Sequence, residues 1–385
     1  MPERHARLGP SAAHRWIECP GSIALSEQCL VPAPSEYAEE GTIAHALAEL
    51  KLRKYLGELR GAAYTAKLKK IQSSEHYNGE MEEATDFYVD SVLERLAAAG
   101  DDAELLVEQQ FSLDTWVPES FGTSDAVVIG GNAIEVIDLK YGKGVRVDAK
   151  GNPQLRLYGL GAAGLFGDLY DFETVRETII QPRLDSVSTE EIALADLTAW
   201  AAEVVVPAAR LAMDNTDVTK AGDWCRFCPA KATCRTRANA NLDLARMDFK
   251  EPLLLTDEEI GEVLRKAENL EKWAEDVAAY ALEQALAGKH YDGWKLVEGR
   301  SVRKYADELK VADALKKAGF DEAMLYERKL YGITAMEKIV GKKKLAETLG
   351  NLLIKPPGKP TLAPASDRRE ELKTAEAAAA DFAEE

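Results

Sequence analysis

The sequence predicts an α/β fold followed by a mainly helical region, and three observations lead there. Residues 39–57 and 81–99 carry apolar positions at helical spacing, with Ile43, Leu47 and Leu50 on one face of the first, and each stops at a glycine, Gly57 and Gly100. The period then changes. Residues 104–111, 123–129 and 133–139 are short, rich in β-formers and separated by Gly and Pro, including Gly130-Gly131-Asn132, which is the pattern of a three-stranded meander. Residues 153–166 open on Pro153 at a first helical turn and lead to 174–181, a β-forming run ended by Pro182. A further helix is expected over 188–213. The order is therefore helix, three strands, helix, strand, helix.

Downstream, 256–288 reads as one long helix opened by Thr256-Asp257-Glu258-Glu259, a start resembling a capping box. A short strand is expected around Trp294–Val297 and two or three short helices over 310–350. From Lys355 the chain is Pro-rich and then acidic and Ala-rich, the composition of a flexible tail. Three regions are expected: 1–244, a mainly helical 245–354, and the tail 355–385.

Composition bounds the function. Of the 385 residues 46% are hydrophobic, so a sizeable core is expected. The charged start MPERHARLGP and the lack of any run approaching roughly 18 apolar residues predict neither a signal peptide nor a membrane span, hence a soluble cytoplasmic protein without a membrane partner. A net charge of −18 argues against coating nucleic acid through a global positive field, yet leaves room for a local basic groove. Five cysteines in such a chain point to metal rather than to a disulfide framework.

The sharpest local pattern is Gly122-Thr-Ser-Asp125 on one strand and Asp138-Leu-Lys140 on the next. Asp138 and Lys140, at i and i+2, project from the same face. Two carboxylates on adjacent strands suit Mg²⁺ or Mn²⁺, and a nearby lysine can orient a water or stabilise developing charge. An ordinary cross-strand Asp–Lys pair accounts for the same three residues taken alone. Gln154 and Tyr158, four apart on a helix, share a face.

Taken in order, Gly41-Thr-Ile-Ala-His45, Gly122-Thr-Ser-Asp125, Asp138-Leu-Lys140 and Gln154-Leu-Arg-Leu-Tyr158 resemble the motifs of the PD-(D/E)XK nucleases, in the RecB-like branch that includes the CRISPR-adaptation nucleases. The resemblance covers about residues 11–240. It implies a restriction-endonuclease-like core, a central mixed sheet flanked by helices. His45, Asp125 and Asp138 would be ligands of Mg²⁺ or Mn²⁺, with Asp125, Asp138 and Lys140 catalytic, and Gln154 and Tyr158 would contact DNA backbone. Glu49, one turn beyond His45, would support a metal ligand from behind or face solvent. Lys143 and Arg146, with Lys150, Arg156 and Arg183, are the expected phosphate contacts, the first three on a loop expected to be flexible.

Cys225-x-x-Cys228-x₅-Cys234 is a strong metal-binding spacing, and Cys19 is the candidate for the fourth thiol. Spacing leaves zinc and iron–sulfur level. The same branch contains nucleases with one cysteine before the core and three after it holding a [4Fe–4S] cluster, and that layout matches here. Cys29 is left over. No GxxxxGK[ST] loop is present, so a helicase fusion is excluded. The overall layout, with KPPGKP near the end, also looks like an uncharacterised family encoded by phages and prophages near replication and recombination genes. The expectation is a metal-dependent deoxyribonuclease, an exonuclease rather than an endonuclease. It would act in phage DNA replication, recombination or processing on single strands or duplex ends, alongside phage single-strand-binding or annealing proteins. A catalytically inactive DNA-binding or scaffolding protein on the same fold is the alternative.

Overall fold

The structure, a computed structural model, describes residues 6–29, 35–245 and 257–295, with isolated positions between 310 and 348. The chain divides into two units, Met1–Gln284 and Ala285–Glu385. In the second, Trp294 and Lys295 are described and not in a strand; Leu296 and Val297, most of 310–350 and the whole tail lie outside the described residues.

The first unit is mixed α/β. Short helices α1 (Ala13–Glu18) and α2 (Ser22–Glu27) precede α3 (Glu36–Tyr55), α4 (Gly61–Gln72) and α5 (Gly79–Ala98). Ser35 caps α3 by accepting from Ala38 N, and Asn78 caps α5 by accepting from Met81 N. Then follow β1 (Glu104–Ser112), β2 (Phe121–Gly130), β3 (Ala133–Leu139), α6 (Pro153–Phe166), β4 (Thr174–Gln181), β5 (Ser186–Ala193), α7 (Leu194–Trp200), α8 (Val206–Met213), α9 (Arg235–Ala245) and α10 (Asp257–Leu286). The five strands form one sheet in the order β1-β2-β3-β4-β5; β3 and β4 are parallel and the other neighbours antiparallel. A parallel pair requires a crossover, and α6 is that crossover.

One expectation is corrected. Helix was predicted from residue 188, but Ser186–Ala193 is an edge strand paired along β4, and helix begins at Leu194. Ser-Thr-Glu-Glu has the look of a helix start, yet the alternating exposure of this segment is that of a strand, and pairing with β4 overrides local propensity. The helix beyond passes through a π-helical stretch, Ala201–Val205, into α8, where Pro207 removes a backbone donor.

The sheet is covered on both faces. Val127, Ile129, Ile134, Val136 and Val175 pack against α6 with Leu155, Leu157 and Leu160. Val128, Ile137, Leu139 and Ile180 pack against Ala48 and Leu52 of α3 and Tyr88 and Val92 of α5. All seven residues of β3 are buried, as a central strand covered on both faces demands. Small residues let α6 lie close to the sheet: a Cβ at Gly161 would stand 2.6 Å from Phe111 Cβ, and one at Gly159 2.6 Å from Val175 Cγ1. No helix among the described residues is long and apolar enough to cross a membrane.

Beneath Gly159 lies Glu177, fully buried, with neither carboxylate oxygen hydrogen-bonded. Burial raises its pKa to about 8, against a partial lowering by Arg156 and a small further rise from Glu190. The unfolded carboxyl titrates near 4.5. The folded state therefore holds the extra proton between those values, and the associated stability, complete below pH 4.5, is lost as pH rises through 8. Melting temperature should fall from pH 5 to pH 9 more steeply in the wild type than in Glu177→Gln. Parallel curves would mean that Glu177 ionises normally.

Candidate active site

β2 and β3 pair regularly as far as Ala126↔Ile137. Beyond that point a side chain replaces the ladder: Leu139 N donates to Asp125 Oδ2 at 2.7 Å. The other Asp125 oxygen, Oδ1, lies 2.8 Å from His45 Nδ1 of α3. On β3, Asp138 follows the parity of Ile134 and Val136 and so starts from the face covered by α6. Lys140 continues the line of β3, its N–H donating to Ile180 O at 2.9 Å.

Gln154, in the first turn of α6, ties these groups together. Its Oε1 accepts from Lys140 Nζ at 2.9 Å, and its Nε2 donates to Asp138 Oδ1 and to Tyr158 Oη, each at 3.0 Å. Lys140 Nζ is also 2.9 Å from Asp138 Oδ2, and apart from that ion pair this buried oxygen has no partner. Gly122 is required by the same arrangement: a Cβ there would stand 2.7 Å from Tyr158 Cε1 and 2.8 Å from Pro10 Cγ, so the glycine seats the Tyr158 ring against β2. Gly41 has no such role, since a Cβ there would meet nothing within 4 Å.

The electrostatics follow from burial among opposed charges. Burial lowers the His45 pKa, but the charge and hydrogen bond of Asp125, helped by Asp138, outweigh it and raise the group to about 9. Burial likewise lowers Lys140, and Asp138 and Asp125 more than compensate, so it stays protonated. Asp138 is raised by burial, opposed by Lys140 and reinforced by Asp125. Two carboxylates thus share a pocket with two cationic partners. Among the described residues no three His, Cys, Asp or Glu side chains stand ready-spaced around a cation. Asp125 pairs with His45, and Asp138 with Lys140.

Two further groups border the pocket and carried no signal in the sequence. The pairs Val107↔Ala126 and Gln109↔Ser124 put Glu108 of β1 across from Asp125, and its φ of 53° is left-handed, uncommon for a non-glycine residue. Burial, then the charges of Asp125 and Glu49, raise Glu108 to about 7. Tyr88 of α5 is fully buried, its hydroxyl has no partner, and burial together with Asp125, Asp138 and Glu108 raises its pKa. Glu49 itself is paired with Arg53 at 2.7 Å.

The expected phosphate contacts are mostly engaged. Arg183 is held by Glu40 and Glu80, both at 3.1 Å, and lies over the Tyr141 ring. Arg156 faces Glu190 at 3.4 Å, Lys143 faces Glu80 at 3.8 Å and Arg146 faces Asp148 at 3.5 Å. Lys150 is exposed. The connection from Tyr141 to Asn152 is pinned rather than loose: Gln181 Nε2 donates to Gly142 O and Val145 O, Gln181 Oε1 accepts from Val147 N, and Ser188 Oγ accepts from Ala149 N.

The cysteines lie away from this pocket. Cys19, buried at the end of α1, accepts through Sγ from Lys220 N at 3.3 Å, and Gly21 N donates to Val218 O at 2.8 Å. Gly21 is needed there, since a Cβ would come within 2.8 Å of Val218 O. Cys225 Sγ accepts from Gly222 N at 3.5 Å. Burial raises the Cys19 thiol, and the nearby Cys228 and Cys234 add to that rise; burial raises Cys225 as well, with Cys228 and Cys19 adding to it. No cysteine is in a disulfide. Half-buried Cys29 donates to Leu25 O at 3.4 Å. Four thiols on adjacent segments, two with backbone N–H groups aimed at sulfur, have the donor chemistry of a thiolate-held cluster or ion.

The family described as "Protein of unknown function (DUF2800)" matches residues 5–370. A protein of known crystal structure, SSO0001, is similar at 15% identity over 56% of this chain and 95% of its own, with a TM-score of 0.23, too low to bear on fold or function.

Proposed function

We propose that this chain, which belongs to the DUF2800 family, is a divalent-metal-dependent deoxyribonuclease of the PD-(D/E)XK type. One observation carries the reading: Asp138 and Lys140 at the end of a buried central strand, bridged by Gln154, with the Asp125–His45 pair beside them. Asp125, Asp138 and His45 would hold Mg²⁺ or Mn²⁺. Asp138 Oδ2, which has no partner but the Lys140 ammonium, and the oxygen-rich donor set fit such an ion. That ion would neutralise charge on the scissile phosphate and acidify the attacking water.

The chain's own groups do the rest. Gln154 fixes the Lys140 ammonium beside Asp138, so its charge is in place before phosphate arrives. Lys140 stabilises charge growing on phosphorus-bound oxygen as water attacks and the P–O bond to the leaving strand breaks. His45 Nδ1 against Asp125 Oδ1 places a proton between the two groups, and binding of an ion by these residues would require His45 to be neutral. Cys19, Cys225, Cys228 and Cys234 would carry a [4Fe–4S] cluster, with zinc the alternative occupant, joining α1 to the segment before α9. DNA ends or single strands are the proposed substrates, in phage DNA replication, recombination or processing.

Purified protein incubated with end-labelled single-stranded and duplex DNA tests this. Shortening of the label with Mn²⁺, abolished by EDTA, is expected. Intact DNA in Mn²⁺ with a folded, cluster-loaded protein would overturn the nuclease reading.

A further inference from the structure

The cations expected to meet DNA beside the pocket are largely neutralised by acidic neighbours, as described above. An acidic chain that handles a polyanion then needs positive charge elsewhere. From Lys51 to Lys70 there are seven cations against one carboxylate, Glu58, within a chain of net charge −18. Two of them are engaged: Lys51 with Glu82 and Asp86, and Arg53 with Glu49 and Glu58. Lys54, Arg60, Lys67, Lys69 and Lys70 are exposed and have no ion pair among the described residues.

We propose that α4 and the end of α3 form a docking surface for the phosphate backbone of DNA, feeding the pocket next to it. This rests on the nuclease reading for its substrate, not for its geometry. α4 contains no acidic residue, and its solvent side holds lysines, Gln72 and small residues such as Ala62, Ala63 and Ala66, so a backbone can approach closely. Its other side carries Leu68 and Ile71, which pack on the cluster of Ala44, Leu47 and Tyr141. Ala44 precedes His45 and Tyr141 follows Lys140, so the inner side of α4 packs on neighbours in sequence of two candidate site residues. Tyr55, 58% exposed next to Lys54, and Tyr64, with Lys54 Nζ 4.6 Å over its ring, supply the flat faces on which unpaired bases stack.

The test is fluorescence anisotropy of labelled single-stranded and duplex oligonucleotides with the full chain, across a salt series, in Ca²⁺ and in EDTA. Lys67→Glu/Lys69→Glu/Lys70→Glu should weaken binding by about tenfold or more and reduce the slope of log affinity on log salt by about 2–3, since each phosphate contact contributes about 0.7–0.9. The Lys67→Gln/Lys69→Gln/Lys70→Gln variant, which adds no repulsion, should lose a similar slope with unchanged melting temperature. Unaltered affinity and slope in both variants would overturn the proposal. So would a loss confined to Lys143→Glu/Arg146→Glu, or binding to phosphatidylserine vesicles without binding to DNA. Mn²⁺-dependent cleavage by the same preparations separates the two readings. DNA bound through α4 but never cut removes the nuclease and keeps this surface; DNA cut normally with the α4 variants binding like wild type does the reverse.

Discussion

Replacing Asp138 by Asn, or Lys140 by Ala, should reduce Mn²⁺-dependent DNA cleavage by about 10²–10³-fold each, the cost typical of removing one preorganised electrostatic group. Asp138→Asn is the better variant at that position. It preserves volume and leaves an oxygen for the Gln154 hydrogen bond, whereas Asp138→Ala removes that acceptor as well as the ion pair to Lys140, which both variants lose. Lys140→Ala removes the charge that opposes burial in setting the Asp138 pKa, so that variant should also bind Mn²⁺ differently in calorimetry. The double variant should lose scarcely more than either single one, because the groups act as a unit. Cleavage at the wild-type rate by either folded variant would remove these residues from the reaction.

The second large effect concerns the cysteines. Protein prepared without oxygen should be brown and carry about four irons, the content of a cluster with four thiolate ligands. Cys19→Ser should lose most of that iron and melt at a markedly lower temperature. Cys19 and Cys225 are 206 positions apart, and by loop-closure arithmetic a link of that span constrains the unfolded chain by about 5 kcal/mol. Cys29→Ser should keep the iron, since that thiol is occupied by the Leu25 carbonyl. Stoichiometric zinc with no iron would assign the four thiols to zinc. Full iron in Cys19→Ser would show that the fourth ligand is another group.

What could be read in advance follows from how local each signal is. β3, β4 and α6 are bounded by residues whose effect is short-range: Gly131-Asn132 before β3, Pro153 at the start of α6, Pro182 after β4. β5 misled because Ser-Thr-Glu-Glu favours a helix start in isolation, and only the partner strand decides otherwise. α1 and α2 are six residues each, too short for periodicity to register, and α4 has few apolar positions to mark a face. Within the site, Asp138 and Lys140 are legible as neighbours from strand spacing and Asp125 from its place on the adjacent strand, whereas Gln154 is brought to them only by the resemblance of its motif. Glu108 and Tyr88 were not, since only the register of β1 on β2 and the packing of α5 bring them there. Which cations are neutralised could not be read at all. Arg183 and Glu40 are 143 positions apart, and a count of charges cannot see that pair.

The docking of the N-terminal segment has a consequence for how the protein is made. Arg7 bonds to the Met213 carbonyl and to Asn215, and Cys19 and Gly21 rest on Lys220 and Val218. At about 5–20 residues per second, a ribosome that has made Cys19 takes about 10–40 s to make its partner 201 positions later. Through that interval the sheet and α6 can assemble and seat Ala13 and Trp16 of α1 in their shared core, while Cys19 and Gly21 still lack the backbone of Lys220 and Val218. The contacts of this segment with residues 218–220 are thus made late, and the Cys19 thiol is open to oxidants or to a cluster carrier until then.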